Sequence, residues 1–146
     1  MKRLNIFFTV LALTLFSIYA KAQDKVIEFI NLPKLAQDFV KTYYSENQVS
    51  YVKVDKDFLA KSYEVKLNNG TKLEFNSKGY WTEVDAKKSP VPNKIVDPKI
   101  RAYVKKSFPN NEIVQISKEG RYIEIELTNG LDLVFNSKGE FVRIDH

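Results

Sequence analysis

The apolar positions of this chain change period along its length, and each change marks an element. Leu35, Ala36, Phe39, Val40, Tyr43 and Tyr44 follow Leu32-Pro33 and fall on one stripe of a helical wheel. The spacing returns in Ile95, Val96, Ile100, Tyr103, Val104 and Phe108, where Asp97 is a candidate N-cap, Pro98 a first-turn proline and Pro109 a stop. Each predicted helix gives way to a period of two. Tyr63, Val65 and Leu67 alternate with Glu64 and Lys66, and Ile123, Ile125 and Leu127 alternate with Glu124 and Glu126. Such segments bury one face and wet the other.

The turns between these strands are written twice. Asn69-Gly70 and Asn129-Gly130 predict tight hairpins, and Asn76-Ser77-Lys78-Gly79 and Asn136-Ser137-Lys138-Gly139 predict a second turn in each stretch. Adding Val49 to Val54, Ile113 to Ser117, Tyr80 to Asp85 and Glu140 to Asp145 as strands gives an α+β reading. It is a tandem repeat of one helix followed by a four-stranded antiparallel meander, over residues 23–86 and 87–146. The stretches are offset by 64 positions at Tyr44 and Phe108 but by 60 from Tyr63 onward. About four extra residues therefore fall near Asp55 to Ala60. The tip of that loop, Phe58 and Leu59, is a candidate binding element.

The N-terminus changes the charge picture. Met1-Lys2-Arg3, an apolar run from Leu4 to Tyr19 and Ala20-Lys21-Ala22 form a secretory signal pattern over residues 1–22, with cleavage expected after Ala22. The whole chain carries 23 basic and 18 acidic residues and a pI near 9.2, but removal of Lys2, Arg3 and Lys21 leaves 20 against 18. That small, interspersed excess argues against nucleic acid as a partner. The product is expected to be periplasmic or secreted, without a membrane anchor after cleavage. With no cysteine anywhere, its fold must rest on core packing alone.

Catalytic constellations are missing from the sequence. The single histidine is His146 at the C-terminus, there is no Gly-x-Ser-x-Gly, and the glycines serve turns rather than a phosphate cradle. No enzyme activity, cofactor or dedicated metal site is expected. The densest acidic cluster is Glu124, Glu126 and Asp132 on a predicted wet face, where oxygen ligands could hold a cation. The corresponding face of the first stretch, Glu64, Lys66, Lys72 and Glu74, is mixed in sign. Tyr122, with Tyr51 and Tyr80, is a candidate contact residue, since tyrosine serves interfaces well.

The pattern Tyr63-x-Val65-x-Leu67-x-Asn69-Gly70, then Leu73, Phe75, Asn76, Gly79 and Trp81, resembles the PepSY-like, β-lactamase-inhibitor-like family exported by Bacteroidota. Ile123, Ile125, Leu127, Asn129, Gly130, Leu133, Phe135, Asn136, Gly139 and Phe141 supply it again. The resemblance implies tandem helix-and-four-strand units with both helices on one face of an antiparallel sheet. In the family's named relative, the β-lactamase inhibitory protein, the opposite face and its loops grip an enzyme and disulfides support the fold. This chain has no cysteine and no motif matching the inhibitor's contact residues. The reading is thus an exported, non-enzymatic binding protein for a protein of the cell envelope, with the open sheet face and loops as its surface. The alternative is a periplasmic binder of a small ligand or cation.

Overall fold

The computed structural model describes residues 24–56 and 60–145, so the signal pattern, Phe58, Leu59 and His146 lie outside the described residues. The strands are β1 (Lys25–Ile27), β2 (Val49–Lys56), β3 (Lys61–Leu67), β4 (Lys72–Asn76), β5 (Trp81–Asp85), β6 (Ile113–Glu119), β7 (Tyr122–Leu127), β8 (Asp132–Asn136) and β9 (Phe141–Asp145). Helix α1 (Lys34–Tyr43) precedes β2, and α2 (Pro98–Ser107) precedes β6. All nine strands join in one antiparallel sheet in chain order.

This corrects the expected tandem repeat of a helix and a four-stranded meander. The described residues form mostly a single nine-stranded sheet with two α-helices, and an additional strand, β1, opens it. The sheet does not break between the two stretches. Glu83, Val84 and Asp85 of β5 stand opposite Ser117, Ile116 and Gln115 of β6, and the Ala86 amide donates to the Val114 carbonyl at 2.9 Å. Backbone donors and acceptors at a strand edge need partners, and here two potential edges satisfy one another. Nothing local in the sequence announces that pairing.

Its register places one apolar residue from every strand in a single row. Ile27, Val52, Val65, Leu73, Val84, Ile116, Ile125, Leu133 and Ile144 stand opposite one another in turn. The seven interior members are buried, and both helices pack on this face. Phe39 of α1 meets the edge of Phe75 at 5.6 Å between ring centres, and Tyr103 of α2 meets Phe135 at 5.5 Å. Full burial of rings such as Phe75 and Phe135 contributes roughly 1.5–3 kcal/mol each. Trp81 and Phe141 extend these clusters, Phe141 stacking on Tyr103 at 4.7 Å and Trp81 lying 6.1 Å from Phe39.

The turns refine a sequence expectation. At Asn69-Gly70 only the glycine has positive φ, +88°, and the Asn69 side chain instead accepts a hydrogen bond from the Thr71 amide at 3.0 Å. Leu67 also bonds across the turn to the Thr71 carbonyl and accepts from the Gly70 amide. These are wider turns closed by one left-handed glycine, not two-residue hairpins with two left-handed positions. Among the described residues no helix is long and apolar enough to cross a membrane.

Candidate functional site in the open sheet face

With both helices on one side, alternation directs every second strand residue to the uncovered side. One row there runs Lys53, Glu64, Glu74, Glu83, Ser117, Glu124, Val134 and Arg143, and the next runs Tyr51, Lys66, Lys72, Asp85, Gln115, Glu126, Asp132 and Asp145. The sign of charge changes along these rows.

Over β2 to β5 the charges neutralise one another. Lys72 Nζ lies 2.8 Å from Glu74 Oε1 and 3.2 Å from Glu83 Oε1. Burial disfavours its ammonium, yet the hydrogen bonds and charges of Glu74 and Glu83 prevail and hold Lys72 above the ordinary lysine value. Gln115 joins the network by donating to Glu83 at 3.1 Å. Tyr51 donates to Glu64 at 2.9 Å, and that bond, with lesser help from burial and the Glu64 charge, raises the phenol above its ordinary value. At the end of β5 burial opposes ionisation of Asp85, but the Lys87 ammonium and backbone amide both donate to its carboxylate and keep it below the ordinary range.

Over β6 to β9 the balance is acidic. Glu124, Glu126 and Asp132 line a shallow cleft of about 180 Å³ with Gln115 and Ser117, and Asp145 follows Asp132 in the same row. Arg143 is the cation within these two rows over β7 to β9, and it donates through Nε and Nη2 to Asp145, both at 2.8 Å. Glu124 is raised above the ordinary carboxylate range by burial first, then by the charges of Asp132, Glu119 and Asp145, with Arg143 opposing. Among the described residues, no group of three or more carboxylate or imidazole side chains converges closely enough to hold a metal ion.

The structure thus brings Glu124, Glu126 and Asp132 together at one cleft. Tyr122, 40% exposed, sits beside them with the Arg143 guanidinium 5.8 Å from its ring centre. Phe58 and Leu59 lie outside the described residues. Glu83, Arg143 and Asp145 belong to the same surface but escaped the sequence reading, as did the contact of Lys72 with both Glu74 and Glu83. Each becomes visible only when strand register sets it beside its neighbours, although a period-two reading of the last strand would have placed Arg143 and Asp145 on one face.

No curated protein matches the chain. Among solved structures, it is similar to a "putative calcium-regulated periplasmic protein" from Bacteroides thetaiotaomicron, with 39% identity and a TM-score of 0.81, over 84% of this chain and 97% of that one. A "putative periplasmic protein" from Bacteroides vulgatus matches at 37% identity and TM-score 0.80, over 86% of this chain and 99% of that one. A second from the same species, described as of unknown function, matches at 34% and 0.80, over 85% and 100%. The periplasmic or secreted location expected from the N-terminal pattern agrees with these relatives. The family pattern described as "Putative beta-lactamase-inhibitor-like, PepSY-like" matches residues 18–70 and 61–143, and the chain belongs to that family.

Proposed function

We propose that this protein is a non-enzymatic binding protein that receives a protein of the cell envelope on its open sheet face. The observation that carries the reading is the division of labour between the two faces. One side holds both helices and the apolar core, while the other is uncovered and divided into a neutralised half and an acidic half. A basic surface fits the acidic half, where Glu124, Glu126 and Asp132 supply charge and Tyr122 supplies an aromatic contact. The test is retention of periplasmic proteins by the immobilised mature chain and by a Glu124→Gln, Glu126→Gln, Asp132→Asn variant. A basic protein should be retained by the first, released by salt, and lost with the variant. Equal retention by both would remove the acidic half from the reading, and no retention at any ionic strength would remove the reading itself.

A second reading is calcium binding at the same cleft. It is favoured by the oxygen-rich lining of Gln115, Ser117, Glu124, Glu126 and Asp132 and by the description of the Bacteroides thetaiotaomicron relative as calcium-regulated. The carboxylates would have to draw together around the ion. Calorimetric titration with calcium distinguishes the two readings, since a flat trace at millimolar calcium leaves only protein binding.

A further inference from the structure

The two α-helices invite a residue-by-residue comparison because both are ten residues long. Aligned from their first residues, Ala36 matches Ile100 and Val40 matches Val104, all buried in the core. Continuing upstream without a gap matches Leu32 with Val96, each 4% exposed. Three other columns of the same alignment change character. Gln37 becomes Arg101, Phe29 becomes Asn93, and Lys41 keeps its type as Lys105 but loses its partners.

At α1 the polar groups of this corner are satisfied, and the hollow of about 470 Å³ beside Phe29 is lined by neither Gln37 nor Lys41. Gln37 Nε2 donates to the carbonyls of Ile30 at 3.0 Å and Leu32 at 2.9 Å. Lys41 reaches Glu46 at 3.4 Å and lies 5.4 Å above the ring centre of Phe29. At α2 the corner is open. With Asn93 in the place of Phe29, a cleft of about 360 Å³ lies beside the helix, lined by Arg101 and Lys105 and backed by the core residues Val96, Val104 and Ile113. Arg101 Nε is buried there with no hydrogen-bond partner. A buried donor without a partner is costly, and a ligand anion toward which the Arg101 side chain turned would recover that cost.

We propose that this cleft binds a small monocarboxylate with a short apolar body. The carboxylate satisfies the Arg101 guanidinium, whose planar fork matches its geometry, and Lys105 adds a second positive charge. Glu112 in the same wall leaves a net charge of one, which suits a monoanion better than a phosphate dianion. The apolar body rests against the small apolar surface that Val96, Val104 and Ile113 present at the floor of the cleft. The site lies on the helix side of the sheet and is independent of the open face.

Butyrate is the probe, with n-butanol as its uncharged counterpart and inorganic phosphate as the competing anion. Titration followed by amide chemical shifts should show saturable changes for butyrate confined to α2, Asn93 and Asn111 to Ile113. Arg101→Gln installs the residue that α1 carries at this position. It should leave thermal stability intact and weaken butyrate by at least about tenfold, the loss expected for a charge-assisted hydrogen bond. The proposal is overturned by an absence of saturation up to about 50 mM butyrate, far weaker than any useful affinity. Equal binding to Arg101→Gln, equal binding of n-butanol, or tighter binding of phosphate than butyrate would each overturn it too.

Discussion

Gly79 and Gly70 have the same left-handed backbone, φ +88°, but different surroundings. A Cβ at Gly70 would meet nothing within 4 Å, whereas at Gly79 it would lie 2.7 Å from Pro33 Cβ and 3.0 Å from the Ala36 amide nitrogen. Gly79 therefore lets the turn after β4 come against the start of α1, and its substitution carries both backbone strain and overlap. Gly79→Ala should cost about 2–4 kcal/mol and Gly70→Ala about 1–2 kcal/mol. Urea unfolding of the two variants measures the difference, and equal losses would mean that the helix moves aside freely. Glu124 gives a prediction in pH. Its folded-state pKa is raised, so the folded protein holds this proton at pH values where the unfolded chain has released it. Ionised Glu124 thus costs stability above the ordinary carboxylate range and costs none below it. Glu124→Gln should melt higher than the parent at pH 7, with the gap closing below about pH 4. A gap independent of pH would show that the side chain acts by packing alone.

Among the elements, α2 illustrates what can be read locally. Asp97-Pro98 announced a capped start, and the Asp97 carboxylate accepts from the Lys99 amide at 2.7 Å with Pro98 in the first turn. Asp97→Ala should lower stability by about 1 kcal/mol, measured by thermal or urea unfolding. Helix α1 has Pro33 at its N-cap and no side-chain cap, so it offers no such handle. The hairpins β3–β4 and β7–β8 were equally legible, because alternation and Asn-Gly are signals carried by a few neighbouring residues. Strand β1 was not, since Lys25–Ile27 is too short to show a period. The pairing of β5 with β6 was hidden for another reason: its contacts join residues such as Asp85 and Gln115 across an intervening helix. For the open face, the sequence could name Glu124, Glu126 and Asp132 because they crowd one hairpin. Lys72 between Glu74 and Glu83, and the unpartnered Arg101, depend on neighbours brought together by the fold.

At the scale of the whole molecule, the row from Ile27 to Ile144 makes the sheet a single load path for packing. Val84 on β5 and Ile116 on β6 face each other at its centre, exposed by 0% and 2%, and they belong to one core cluster reaching under both helices. Two independent units would unfold separately, each with its own midpoint. A continuous sheet with a shared core should unfold in one transition, since opening β5 from β6 exposes apolar surface on both sides and strands backbone groups along two edges. Val84→Ala removes buried methyl groups at that seam and should cost about 2 kcal/mol. Native-state hydrogen exchange then separates the two pictures. In one cooperative unit the slowest amides of β4 and β8 lose protection by the same amount in Val84→Ala, although only β4 pairs with β5. Loss confined to β2 through β5, or a second thermal transition that the substitution leaves in place, would show that the seam divides the sheet energetically even though its backbone pairing is continuous.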